Sequence, residues 1–306
     1  MQLLRNLIWV CFALIASNSY AQNPYMIVLG TVQDGGYPHI GCKKTCCEKA
    51  WKRTDKQYIV SLALVDSQSR KWWLFEATPD IKEQLQYFKT ITNGRYNYLP
   101  DGIFITHAHI GHYTGLMQLG REALGAKAVT VYSMPVLKNY FETNGPWSQL
   151  VKLQNISVYA LQNGKHVIPA SGISVTPYIV PHRDEYSETV GFKITTNTTS
   201  YLFIPDIDKW QKWDKQIIDE VKAVDFAFID ATFYNEAELP GKRMEEVPHP
   251  FVSETMQLFT NEADYVKSKI HFIHINHTNP LLWRKPAEDS VRKQGFNIAK
   301  QGNTYK

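Results

Sequence analysis

The stretch Gly102-Ile103-Phe104-Ile105-Thr106-His107-Ala108-His109-Ile110-Gly111-His112 decides how the rest of the chain is read. Its apolar first half predicts a buried strand, which hands over directly to a loop carrying three imidazoles. Neutral imidazole is the commonest metal ligand among side chains. Histidines at i and i+2 in a tight loop can turn toward one ion, while His112 approaches from the first turn of a following helix. A merely histidine-rich surface loop is the competing reading, and it does not explain the strand-loop-helix setting.

Outward from this segment, short β-rich runs recur at 26–31, 58–65, 72–75, 129–132, 173–180, 190–195, 201–204, 226–229 and 270–275. Helical patterns are interleaved at 79–89, 114–124, 135–142, 252–266 and 286–294. Such alternation predicts a layered α/β architecture. Four residues stand at or near the ends of predicted strands: His182, Asp206, Asp230 and His274. Singly, each would be read as a turn former or a satisfied core group. Repeated at strand ends, where sites of layered proteins gather, they are expected to converge on the His107 loop.

A net charge of +4 spread over alternating acidic and basic residues excludes the basic surface of a nucleic-acid binder. No repeat period and no linker-like run divides the chain, so residues 22–306 are expected to form one domain. The first residues differ: Arg5, an apolar run over 7–16, then Ser19-Tyr20-Ala21. That is the pattern of a signal peptide over residues 1–21, and the apolar run is too short to span a bilayer. The expected location is therefore periplasmic or secreted, with no membrane anchor after cleavage. Cys42, Cys46 and Cys47 remain, crowded together, and suit either a structural zinc with His39 as the nearest fourth donor, or a disulfide. Asp34-Gly35-Gly36 reads as a flexible turn and receives no chemical role.

His107-Ala108-His109-Ile110-Gly111-His112 resembles the His-x-His-x-Asp-His motif of the metallo-β-lactamase superfamily, which implies an αββα sandwich. More narrowly, Leu29 to Pro38, Ala77 to Ile81, His112 to Leu116 and Ile273 to Pro280 resemble the PqqB family of coenzyme PQQ synthesis proteins. That family and the related PhnP phosphodiesterases carry a structural zinc near the cysteine cluster. Resemblance to PhnP and RNase Z implies that His107, His109 and His182 hold one metal, that Asp206 bridges two, and that His112 and His274 hold the second. Gly111 replaces the motif's Asp, which removes a carboxylate from the second position. The PqqB family lacks the paired histidines that this loop retains. His249 resembles the histidine that PhnP and RNase Z place near the leaving group, with Asp230 as its partner. His277 stands where the relatives have Asn and is expected to line the pocket.

Together these imply a metal-dependent hydrolase with one or two zinc ions, manganese or iron also suiting the donors, acting on a small phosphodiester or other ester. A PqqB-like iron-dependent oxidase and a non-catalytic binding protein are the alternatives.

Overall fold

The computed structural model describes residues 23–239, 241 and 247–306, so the leader assigned to residues 1–21 lies outside the described residues. In chain order the first strands are β1 (Tyr25–Gly30), β2 (Ser61–Asp66), β3 (Lys71–Phe75), β4 (Gly102–Phe104), β5 (Val129–Ser133) and β6 (Ile156–Ala160). The next are β7 (Val167–Ala170), β8 (Ile173–Ile179), β9 (Val190–Thr195), β10 (Ser200–Ile204), β11 (Phe226–Asp230), β12 (Ile270–Ile273) and β13 (Asn297–Ile298), and β14 (Thr304–Tyr305) returns beside β1. They pair as two mixed sheets, β14-β1-β2-β3-β4-β5-β6 and β13-β12-β11-β10-β9-β8-β7.

The central strands read as continuous apolar runs because both of their faces are buried. In β1, Met26 and Val28 face the other sheet, while Tyr25, Ile27 and Leu29 face the helix Ile81–Ile91 through Ile81, Leu85 and Phe88. Between the sheets Phe75 and Phe104 stack at 5.0 Å, and both meet Phe192 edge-on at 5.7 Å. Leu202, Ile204 and Ile229 of the second sheet face the helix Val252–Leu258 through Val252 and Met256. The layers are therefore helix, sheet, sheet, helix, as the αββα expectation requires.

Two predicted helices are shorter than their patterns. The run 252–266 splits into Val252–Leu258 and Asp264–Lys267, because Phe259 turns fully into the core and a polar turn follows. The run 114–124 is only a short 3-10 segment, Thr114–Leu119. Gly115 is responsible: it presses against the 77–78 backbone so closely that a Cβ would lie 2.1 Å from the Thr78 carbonyl oxygen.

Strand direction places the chemistry. β1 and β3 are each antiparallel to β2, and β3 is parallel to β4, so all three end at one edge of their sheet. β8 and β10 are each antiparallel to β9, and β10, β11 and β12 are mutually parallel, so these four also end together. Carboxyl ends of parallel strands are where layered α/β proteins place their sites.

Candidate metal centre

From the first sheet, β4 delivers His107, extended His109 immediately precedes the short helical turn Ile110–Tyr113, and His112 lies within that turn. From the second, β8 delivers His182, β10 delivers Asp206 and β12 delivers His274. Five imidazoles converge on one oxygen, Asp206 Oδ2, at 3.4 Å (His107), 3.9 Å (His109), 3.8 Å (His112), 3.3 Å (His182) and 3.9 Å (His274). His107, His109, His182 and Asp206 form one group able to hold an ion, and Asp34, His112, Asp206 and His274 form another. All six predicted metal residues are brought together, and Asp206 belongs to both groups.

The donor set fits a metal. With metal–ligand bonds of about 2.0–2.2 Å, two donors on one tetrahedral ion lie roughly 3.3 Å apart. The shorter spacings at Asp206 match this, as does the 3.3 Å between His182 Nε2 and His109 Nδ1. His107 Nε2 is fully buried yet has no hydrogen-bond partner among the described residues. A buried polar atom left so is costly unless something else satisfies it.

Neighbouring groups fix the rings. Thr232 donates its hydroxyl to Asp230 Oδ1 at 2.7 Å, so at 2.9 Å it accepts from His274 Nδ1, leaving the Nε2 lone pair for the centre. Glu76 faces His112 Nδ1 at 3.3 Å, and Thr106 Oγ1 lies 2.9 Å from His107 Nδ1. Glu76 (φ +73°) and His274 (φ +62°) both adopt left-handed backbone, rare for non-glycine residues and found where a site is held against strain. Each sits just past a strand end and aims its side chain inward.

Charge balance follows from burial. Burial favours a neutral His107, and nearby His112 adds to this, so its pKa falls well below the ordinary value. Burial opposes protonation of His112, but Asp34 and Glu76 outweigh it and hold its pKa well above. Burial would raise Asp206, yet His249, His182 and His274 hold it well below the carboxylate range. An incoming cation therefore meets an ionised Asp206 and displaces a proton from His112.

His249 and Asp230 lie beside the first group. Asp230 Oδ2 is 2.9 Å from His249 Nδ1, and Asp206 Oδ1 is 3.2 Å from the same nitrogen. Asp230 also accepts from the backbone of Thr232 at 2.8 Å and of Ile207 at 3.2 Å, so it holds a turn as well as orienting an imidazole.

The sequence overlooked three residues. Glu76 directly follows the predicted strand 72–75 and received no role. Asp34, read only as part of a turn, lies 3.0 Å from His112 Nε2 and 3.2 Å from His274 Nε2. His277, expected to line the pocket, instead joins Cys42 and Cys47 in a group able to hold an ion. Cys46 Sγ is 3.9 Å from Cys47 Sγ, far beyond bonding distance, and the three thiols are free. The His39 ring packs on His277 at 4.2 Å with its Nδ1 at the Ile40 carbonyl, 2.8 Å away, while its backbone N–H donates to Cys47 Sγ. Burial pushes the Cys47 thiol up to about 12 and, with His39 and Lys44, pulls His277 down to about 4. The imidazole is thus ready to ligate, and the thiol needs a cation to ionise.

A cavity of about 650 Å³ opens beside Asp34, walled by Tyr37, Trp51 and Ile110. Its cations Arg53, Lys56 and Lys82 stand among the carboxylates of Asp34, Asp55, Asp80 and Glu83, with Arg53 paired to Asp55 and Lys82 to Glu83, so the lining is of mixed charge.

A buried carboxylate ringed by imidazoles, at the strand ends of an αββα sandwich, defines a metallo-β-lactamase-fold centre. Residues 71–275 match the beta-lactamase superfamily domain, and the chain belongs to that superfamily. Coenzyme PQQ synthesis protein B of Gluconobacter oxydans (strain 621H) is 25% identical over 305 residues, spanning 92% of this chain and 98% of that one. The protein of the same name from Methylobacillus flagellatus is 26% identical, spanning 90% and 97%. Among solved structures, Zn(2+)-bound PqqB from Methylobacterium extorquens superposes with a TM-score of 0.75 at 21% identity, covering 92% of this chain and 99% of that one. A diphosphatase from the PhnP family superposes with a TM-score of 0.67 at 18% identity, covering 92% and 96%. These superpositions establish the fold.

Proposed function

We propose that the chain is an exported metal-dependent hydrolase that cleaves a small phosphodiester or related ester. The convergence of five imidazoles on Asp206 Oδ2, with a sixth, His249, at its other oxygen, carries the proposal. The chemistry that a divalent ion, zinc by the donor set, would supply there is activation of water for attack and polarisation of the scissile bond. His107, His109, His182 and Asp206 would hold it. His249, with Nδ1 committed to Asp230 and Asp206, keeps Nε2 for giving a proton to the leaving oxygen. Asp230 positions that ring. The phosphoester part draws support from the PhnP-family diphosphatase among the structural neighbours.

The test is turnover of bis(p-nitrophenyl) phosphate by the zinc- and manganese-loaded protein, with metal analysis. His109→Ala should lose the first ion and turnover together, and turnover surviving that change would overturn the proposal. The named relatives support a second reading, a PqqB-like biosynthetic enzyme, since they match nearly the full length of the chain; iron-dependent oxidation is the chemistry it would take, because His and carboxylate donors also suit iron. Oxygen uptake by the iron-loaded protein without ester cleavage would select it. A degenerate, non-catalytic site loses its main argument, the missing carboxylate at Gly111, because the Asp34 carboxylate occupies that volume.

A further inference from the structure

Gly111 has no room for a side chain. A Cβ there would lie 2.3 Å from Asp34 Oδ1, 2.6 Å from its Cγ and 2.7 Å from its Cα. The carboxylate of Asp34 thus fills the space beside His112 into which a side chain at 111 would project. We propose that Asp34 is a metal ligand, and that it completes a second metal position with His112, His274 and the shared Asp206. This deepens the hydrolase reading and rests on it only for the chemistry, since its test counts ions.

Geometry separates a ligand from an ion-pair partner. Asp34 Oδ1 is 3.0 Å from His112 Nε2, but the angle is wrong for a hydrogen bond, and that fully buried nitrogen has no hydrogen-bond partner among the described residues. Two ligands of one ion have just this relation: both lone pairs point at a third place, about 3.3 Å separates the donors, and neither points at the other. His274 Nε2 stands 3.2 Å from the same oxygen and, unlike His112, is aligned with it as in a hydrogen bond, but with its Nδ1 proton given to Thr232 that nitrogen carries a lone pair; all four donor atoms lie within 4.8 Å of one another.

The backbone holds Asp34 to this task. Gln33 donates to the Ile275 carbonyl at 3.0 Å, and Ile275 donates to Thr31 at 2.8 Å, so the Asp34 turn is clipped to the segment that presents His274. Further along, Cys42 and Cys47 meet His277 on the same two segments. The 34–47 loop and the 274–277 segment are therefore joined at both ends, and Asp34 needs no rearrangement to bind.

The experiment measures zinc per chain and zinc affinity in the wild type, Asp34→Ala and Asp34→Asn. Cobalt absorption reports the surviving coordination. Both single variants should lose one ion from the His/Asp centre, with affinity at that position reduced by more than about 100-fold, since losing even an outer partner costs 10–100-fold. Both should keep the ion at His107, which shows that the chain is folded. Wild-type stoichiometry and affinity in either variant would overturn the assignment. Loss of ester turnover with both ions retained would instead count against the hydrolase reading alone.

Discussion

Asp230 Oδ2 lies 2.9 Å from Nδ1 of His249, and this pair sits on the far side of Asp206 from the His107 imidazole. Burial disfavours a charged His249, but Asp230 and Asp206 outweigh it and raise its pKa to about 10. The ring is therefore a proton donor at neutral pH. A cation on Asp206 offsets part of that field and brings the donor closer to the working range.

His249→Ala is accordingly expected to slow esters with an alkyl leaving group by about 10²–10⁴, the usual worth of a positioned general acid. A nitrophenyl ester, whose leaving group needs no proton, should lose far less. Asp230→Asn should shift the alkaline limb of the pH profile to lower pH while the metal content stays unchanged. Equal losses on both esters would exclude a proton-donating His249.

The cysteine group predicts a separable ion. Cys47→Ser and His277→Ala should each release one zinc and lower the melting temperature, leaving the His/Asp centre loaded, while His39→Ala should retain the ion. Native mass spectrometry counts the ions. A metal-free wild type lighter by two hydrogens would mean a disulfide instead.

Acid stability should report on His271. Its ring is buried against Phe226, Phe228 and Tyr305, and burial lowers its pKa to about 4. The unfolded chain then binds the proton first, so stability is complete above the ordinary histidine pKa of about 6.5 and falls as the pH drops toward about 4. The full loss is about 3 kcal/mol. Urea unfolding of chelated wild type and His271→Gln at pH 7.5 and 4.5 measures it, and the variant should show the smaller drop. Identical pH dependence would rule His271 out.

Export is open to an equally direct check. The leader reading predicts a mature chain beginning near Gln22 in the periplasm of an expressing bacterium, and intact mass decides it. Retention of residues 1–21 in a cytoplasmic chain would overturn the leader reading.

The sequence exposes part of this site and hides the rest for a physical reason. His107, His109 and His112 are legible because one loop carries them, and His182, Asp206, Asp230 and His274 because each ends an apolar run. Asp34 is 240 residues from His274, and its Asp-Gly-Gly context is indistinguishable from ordinary turn chemistry. Glu76 and His277 owe their roles to tertiary proximity, which no local pattern encodes. Edge strands β6 and β7 escaped for the converse reason: partly exposed on the flanks of their sheets, they lack the apolar runs that mark the interior.

The ligands are divided by sheet. Asp34, His107, His109 and His112 hang from the first, His182, Asp206 and His274 from the second. Bound ions would therefore act as rivets through the joint between two half-sandwiches, and neither half of the chain owns a working centre. Whatever prises the halves apart, whether heat, chelation or a wedge of denaturant, empties the site in the same event, so metal release doubles as a gauge of whether the joint is closed.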